Sequence, residues 1–424
     1  MPSADFDACL LIVLPWGMKG GRGRDCADMD APPDAEEEQA LALALALHEA
    51  GRTKPYLLCA GGSWAHRRAA ALKLPHLAAR SRYNPLSLLK LWFWQRRHSF
   101  LLIQTVGEGS LGFGRLVRRW RKQGMSFLVH AFFVRFPSGE SRKGKDLWAA
   151  RKIFCGWEGI RRDLAGADPD GVQDRLVLLA PGVSRARYFP VSAREIAELG
   201  KAEENSRLPA GGRHFIFGMG CGLVARSGAL AVVRAMAALW QVGDIPPWEV
   251  RITGSGPRFD EILEEAERLG VVSRLCLLGD QFAPDFLAAC HVWLAPGTSP
   301  EERPDALWAG FVAGLPVICS RSPLHAERLA GHDAALMVEP DDPQALAGAM
   351  IALMSNPGLR QDLSARAAAL RGEWELERMA GEARRFFSSW AASSFDPQSS
   401  TDITGCRHEV QNLQSPGRCV TEKP

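Results

Sequence analysis

Apolar residues recur along this chain in short unbroken runs, separated by longer stretches where apolar and polar positions mix at helical spacing. The first run covers residues 9–14, Cys9-Leu-Leu-Ile-Val-Leu14. A run that is apolar at every position, not at alternate ones, suits a strand buried on both faces of a parallel sheet. The same signature predicts strands at 56–59, 100–104, 126–133, 152–155, 175–179, 214–217, 248–253, 274–278, 292–295 and 317–320. Helical stretches fall between and after them, at 38–50, 112–123, 157–164, 228–240, 258–269, 343–354, 359–371 and 376–390. Asp34 and Glu37 have capping-box spacing before the first helix, and Gly51 ends it. Strand and helix signals that alternate on this scale argue for parallel α/β sheets. The alternation stops at polar, glycine-containing text around 193–213 and then starts again. The expected organisation is one domain over 1–190, a linker over 191–212, and a second domain with terminal helices over 213–392. Residues 393–424 are rich in Ser, Asp and Gln, and read as a disordered tail.

A chain of 424 residues accommodates two domains of ordinary size, at roughly 100–200 residues each. Its 46% hydrophobic and 23% charged content is that of a soluble globular protein. A net charge of +3 excludes a molecule built throughout as a polycation for nucleic acid. The ten cysteines form no C-x-x-C pair and no Cys/His cluster at zinc spacing, which points to a reducing compartment and no structural metal. The acidic N-terminus and the shortness of the first apolar run argue against a signal peptide. No apolar run approaches the roughly 18–20 residues of a membrane span. These features imply a cytoplasmic protein, at most docked on the cytoplasmic face of a membrane. Between Lys90 and Lys122 the only acid is Glu108, and aromatics interleave the basic residues in Lys90-Leu-Trp-Phe-Trp-Gln-Arg-Arg-His98 and Arg115-Leu-Val-Arg-Arg-Trp-Arg-Lys122. On amphipathic helices this pattern suits anionic lipid, with Trp at the headgroup level. It also fits nucleic acid, or a solvated basic helix with a Trp packed inward.

In open α/β sheets, ligands bind where strands end and helices begin. Gly218, Gly220 and Gly222 lie between a strand and a helix, where glycines let a phosphate approach the helix N-terminus. They equally suit a tight turn. They do not form G-x-G-x-x-G, and no acidic ribose partner ends the next strand, which weighs against a Rossmann-type oxidoreductase. Arg226 supplies a cation at the start of that helix. Gly254 and Gly256 shape a Gly-Ser-Gly-Pro turn after the next strand, and Gly279-Asp-Gln281 follows the one after. Pro296-Gly-Thr-Ser-Pro-Glu-Glu302 leaves another strand, so the Glu301 and Glu302 carboxylates could accept hydrogen bonds from sugar or ribose hydroxyls. They could also do no more than complement a helix dipole.

In this order, and continued by Gly310-Phe-Val-Ala-Gly314-Leu-Pro316-Val317, the motifs resemble those of retaining GT-B glycosyltransferases of family 4, the glycosyl transferases group 1. The resemblance implies two Rossmann-like, doubly wound parallel-sheet domains facing a cleft, with a nucleotide sugar on the second and its acceptor on the first. It implies transfer of a sugar to a glycan or lipid-linked glycan with retention, in cell-envelope polysaccharide or lipopolysaccharide assembly. Neither metal nor cofactor is expected, and no nucleic acid. Within that frame Glu301 holds donor-sugar hydroxyls, His130 lines the other side of the sugar, and Arg226 takes the diphosphate charge. Gly218, Gly220, Gly222, Gly254 and Gly256 shape the donor loops, Gln281 lies at the nucleobase, and Glu327 is a donor-side carboxylate. Gly20 and Gly21 belong to the acceptor-side loop, and Pro181-Gly182-Val183 precedes the linker. The family's E-x7-E places its second Glu on Ala309, so Glu302 or Asp305 would have to hold the ribose. Ser227 stands where a Lys is usual. These departures also fit an inactive binding or scaffold protein.

Overall fold

A computed structural model describes residues 8–14, 35–49, 51, 53–79, 85–98, 100, 102–107, 110–119, 126–131, 147–148, 150–167, 173–182, 214–279, 284–298 and 305–394. The first half contains β1 (Ala8–Val13), α1 (Ala35–Glu49), β2 (Thr53–Ala60), α2 (Trp64–Ala71), β3 (His76–Ala79), α3 (Pro85–His98), β4 (Leu102–Val106) and α4 (Leu111–Arg119). It continues with β5 (Ser126–Ala131), β6 (Lys152–Cys155), α5 (Glu158–Ala167) and β7 (Leu176–Leu178). The second half has β8 (Phe215–Gly220), α6 (Ala229–Trp240), β9 (Trp248–Thr253), α7 (Phe259–Arg268), β10 (Leu275–Leu277), α8 (Pro284–Ala288), β11 (Val292–Ala295) and α9 (Asp305–Ala313). It ends with β12 (Val317–Ser320), α10 (Pro323–Arg328), β13 (Ala335–Val338), α11 (Pro343–Ser355), α12 (Pro357–Trp374) and α13 (Leu376–Ser394). No helix among the described residues is long and apolar enough to cross a membrane.

The strands form two sheets, ordered β3-β2-β1-β4-β5-β6-β7 and β10-β9-β8-β11-β12-β13, and every pairing is parallel. The unbroken apolar runs are explained by helices on both faces. In β1, Leu10 and Ile12 join one buried cluster with Leu43 and Leu47 of α1, while Leu11 and Val13 join another with Leu91 and Ile103. In β11, Val292 and Leu294 face α6, and Trp293 and Ala295 face α9. Alternation of the side chains is intact, but both sides are dry.

Each sheet reverses its strand order once, between β1 and β4 and between β8 and β11. Such switch points open a crevice beyond the carboxyl ends of the strands. The segments that leave the carboxyl ends of β6 and β12 meet. Glu327, in the helix after β12, accepts hydrogen bonds from the backbone N–H groups of Glu158 (2.7 Å) and Gly159 (3.2 Å), which follow β6.

The chain end departs from the expected domain division. The helix predicted at 376–390 was assigned to the second domain, but α13 packs on α1 and β1 of the first. Leu376, Met379, Ala380, Ala383 and Phe387 fall on one helical face and are buried against Leu10, Leu43 and Leu47. Gly182 marks the crossing, since a Cβ there would lie 2.6 Å from Leu376 Cα. The linker 191–212 and residues 395–424 lie outside the described residues.

Candidate active site

β8 and β11 border the switch point of the second sheet, so the loops leaving them build the crevice. The strand leading in is longer than predicted: β8 runs through Gly218 to Gly220. Gly218 is thus a strand residue, and packing accounts for it. It lies beside Trp293 in the ladder, and a Cβ on it would meet Cys290 Sγ at 2.3 Å and the Trp293 ring at 3.1 Å. At Gly222, in the loop itself, a Cβ would find only Val224 Cγ1, at 4.0 Å.

The Gly-Ser-Gly-Pro turn after β9 supports this loop from the side. Backbone bonds run from Cys221 N to Thr253 O (3.0 Å), from Leu223 N to Ser255 O (2.9 Å) and from Arg258 N to Leu223 O (3.0 Å). Gly254 has φ +132° and Gly256 abuts Leu223. Their Cβ atoms would lie 1.7 Å from Cys221 O and 2.4 Å from Leu223 O. β9 ends in Thr253, so no carboxylate closes it as a dinucleotide-binding unit would require.

The loop of β8 is locked onto that of β11. Gly228 begins α6 with φ +84° and no side-chain cap, and a Cβ on it would lie 2.6 Å from Pro296 Cγ. Arg226 has φ +64°, a conformation costing a non-glycine residue roughly 1–2 kcal/mol. Its carbonyl accepts from Thr298 N at 2.9 Å, and its Nε donates to Thr298 Oγ1 at 3.3 Å. Arg226 lines a cavity of about 240 Å³ with Ser227, Gly228, Arg234, Arg258 and Asp341. Arg234 is paired with Glu265 at 2.8 Å and Arg258 with Glu261 at 3.2 Å. Arg226 has no carboxylate partner among the described residues. An uncapped helix start beside a guanidinium with no carboxylate partner among the described residues is suited to an anion such as a diphosphate. Ser227, where the resemblance places a Lys, is 5% exposed and supplies no charge.

A second layer fixes the β11 loop from below. Ser320 Oγ donates to Gly297 O at 2.5 Å. His325 Nδ1 lies 2.9 Å from Ser320 O, which can only accept, so the proton is assigned to Nδ1. His325 is buried, and burial pushes its pKa down to about 4, partly opposed by the Ser320 carbonyl. It is therefore a neutral support. No sequence motif singles out this histidine. Its role depends on a loop and a strand that meet only in the folded chain.

Glu327 was expected on the donor side. Here both its carboxylate oxygens are engaged by the start of α5 in the opposite domain. Its neighbour Arg328 donates to Gly156 O, and burial pushes the Arg328 pKa down to about 10, with Glu327 opposing that shift. Ala309, where the resemblance places the second acid, is 1% exposed and packed with Trp293 and Phe311, so it is a methyl in the core. Asp305 is the first residue of α9, and its side chain lies outside the described set, as does that of His130 in β5. Gly20, Gly21, Gln281, Glu301 and Glu302 are likewise outside the described residues.

Residues 208–370 match the family model described as Glycosyl transferases group 1. Lipopolysaccharide core biosynthesis glycosyltransferase LpsD of Rhizobium meliloti (strain 1021) is 31% identical over 156 residues, which are 35% of this chain and 42% of that protein. In the two curated relatives that match, the shared stretch spans only 12% and 42% of the relative's own length. A glycosyltransferase from Rickettsia africae ESF-5 is similar in structure, with a TM-score of 0.69 at 14% identity over 91% of this chain and 98% of that one. Anabaena Alr3699/HepE in complex with UDP gives 0.68 at 16% identity over 90% and 99%. The chain therefore has the GT-B fold, and its match to the glycosyl transferases group 1 is confined to residues 208–370, which hold the β8–β11 crevice.

Proposed function

We propose that the protein is a glycosyltransferase that moves a sugar from a nucleoside diphosphate sugar to a hydroxyl of a glycan or lipid-linked glycan. The observation that carries this reading is the junction of β8 and β11, where Arg226 and the uncapped start of α6 converge. As the bond from the anomeric carbon to the diphosphate oxygen breaks, negative charge grows on the leaving group. Arg226 and the backbone N–H groups at the start of α6 neutralise it, without a metal. Glu301 and Glu302 accept hydrogen bonds from sugar hydroxyls, and His130 lines the opposite wall. Closure of the two domains excludes water, which would otherwise consume the donor. Retention of the anomeric configuration, and a place in lipopolysaccharide or polysaccharide assembly, extend the proposal. LpsD, by its name a lipopolysaccharide core enzyme, supports the second. HepE has been seen with UDP-glucose, which makes UDP the first donor nucleotide to try.

The test is calorimetric titration with UDP, GDP, ADP and NAD, on wild type and on Arg226→Ala. One diphosphate should bind saturably, and the variant should weaken it roughly ten- to hundred-fold, the worth of a charge-assisted hydrogen bond. Preference for NAD, or affinity indifferent to Arg226, would sink the proposal. The burial of Ala309 and Ser227 favours a second reading, a donor-binding protein without turnover. Diphosphate binding combined with no release of UDP or GDP from any matching sugar nucleotide would select it.

A further inference from the structure

Helix α3 has two faces of opposite character. Inward, Leu91 is buried, with Leu88 and Trp94 packed on the cluster that includes Tyr56 and Phe100. Trp94 meets Tyr56 edge-on at 5.2 Å and Phe100 at 5.6 Å, and Tyr56 Oη lies 3.0 Å from His98 Nδ1. These contacts hold the helix firmly on the first domain. Outward, Leu86, Leu89 and Phe93 are 69%, 50% and 59% exposed. At spacings of three and four residues they form one stripe along the helix. Eight large hydrophobic side chains are exposed among the described residues, and the three most open of them stand in this stripe. Lys90, Arg96 and Arg97 are exposed on the same helix, which contains no acid. The Arg96 guanidinium lies over the half-buried Trp92 ring at 4.1 Å.

The sequence expectation placed Trp at the headgroup level of a region starting at Lys90. The structure turns Trp94 inward, makes Phe93 the outward aromatic, and begins the stripe one turn earlier, at Leu86. The side chains of Arg115, Arg118 and Arg119 lie outside the described set.

We propose that α3 docks the protein on an anionic lipid surface, with Leu86, Leu89 and Phe93 inserted at the acyl boundary and Lys90, Arg96 and Arg97 at the phosphates. A rim of cations around a short apolar stripe complements an anionic bilayer in both charge and depth. A stripe of three side chains on one helix falls well short of the roughly 800 Å² per partner of a stable protein–protein interface. The inference stands apart from the chemistry in the cleft and does not depend on it.

The experiment is flotation of the full chain with vesicles of phosphatidylcholine alone and with vesicles of equal parts phosphatidylcholine and phosphatidylglycerol. Wild type should float with the mixed vesicles, less as salt rises, and scarcely with the neutral ones. Replacing Lys90, Arg96 and Arg97 by Gln should lower the partition constant about a hundred-fold, at roughly five-fold per charge. The double variant Leu86→Ser, Phe93→Ser should lower it at least ten-fold while keeping the wild-type melting curve, because both side chains are already exposed. Equal binding to both vesicle types, no binding, or binding unchanged in either variant overturns the proposal. So does a dimer in sedimentation without lipid that Phe93→Ser dissociates, since a second copy would then cover this face.

Discussion

His325 illustrates how much a single side chain can decide at a distance from the chemistry. It is 3% exposed, and its pKa falls from 6.5 to about 4 because burial disfavours the imidazolium. The unfolded chain therefore binds a proton in that interval that the folded chain refuses. The histidine's contribution is complete above pH 6.5 and is lost as pH falls toward 4, by about 3 kcal/mol in all. Urea unfolding at pH 7 and at pH 5 should show wild type losing roughly 2 kcal/mol more than His325→Gln over that interval. Equal losses would mean that His325 is not held neutral. At this scale the sequence was informative about position where the signal is local, as for Arg226 just before a helix start. It was silent where a residue answers to a distant one. Gly218 is a glycine because Trp293 lies beside it in the ladder, and no local pattern encodes that register.

Among elements, the turn after β9 makes the sharpest prediction. Gly254→Ala would drive a Cβ to within 1.7 Å of the Cys221 carbonyl, backbone against backbone. The two loops would have to part, which should cost more than about 4 kcal/mol or prevent folding. Gly270→Ala is the control: φ is +71° but nothing lies within 4 Å of the new atom, so the cost is only about 1 kcal/mol of backbone preference. Denaturant midpoints compare the two, and similar losses would dismiss close approach as the reason for Gly254. Strands dry on both faces were legible as unbroken apolar runs, and β6, β9, β11 and β12 have the predicted bounds. Two of the four outermost strands, β3 and β13, were not. β13 is half-buried at all four positions, and β3 reads His-Leu-Ala-Ala with little β preference. The amphipathic face of α13 was visible, but not that it belongs to the first domain.

For the whole molecule, the question is what holds the two carboxyl edges together when the crevice is empty. Glu327 and Arg328 answer it with one short helix: the carboxylate accepts from the start of α5, and the guanidinium donates to Gly156 O just before it. A carboxylate at a helix start is favoured by the helix dipole, and its hydrogen bonds are charge-assisted. Glu327→Ala removes both bonds and leaves the α5 N–H groups to water, so the closed arrangement should lose population before any donor arrives. Small-angle scattering of the donor-free variant should give a larger radius of gyration than wild type, with Glu327→Gln between them because its amide oxygen can still accept. Addition of the matching sugar nucleotide should return the variant toward the wild-type dimension, since a ligand held by Arg226 in one domain and lined by His130 in the other favours closure. A side chain serving the donor alone behaves otherwise. Glu327→Ala would then weaken diphosphate-sugar binding while leaving the donor-free dimension unchanged, and the latch would be refuted. The two roles separate because one acts on the empty protein and the other only on the loaded one.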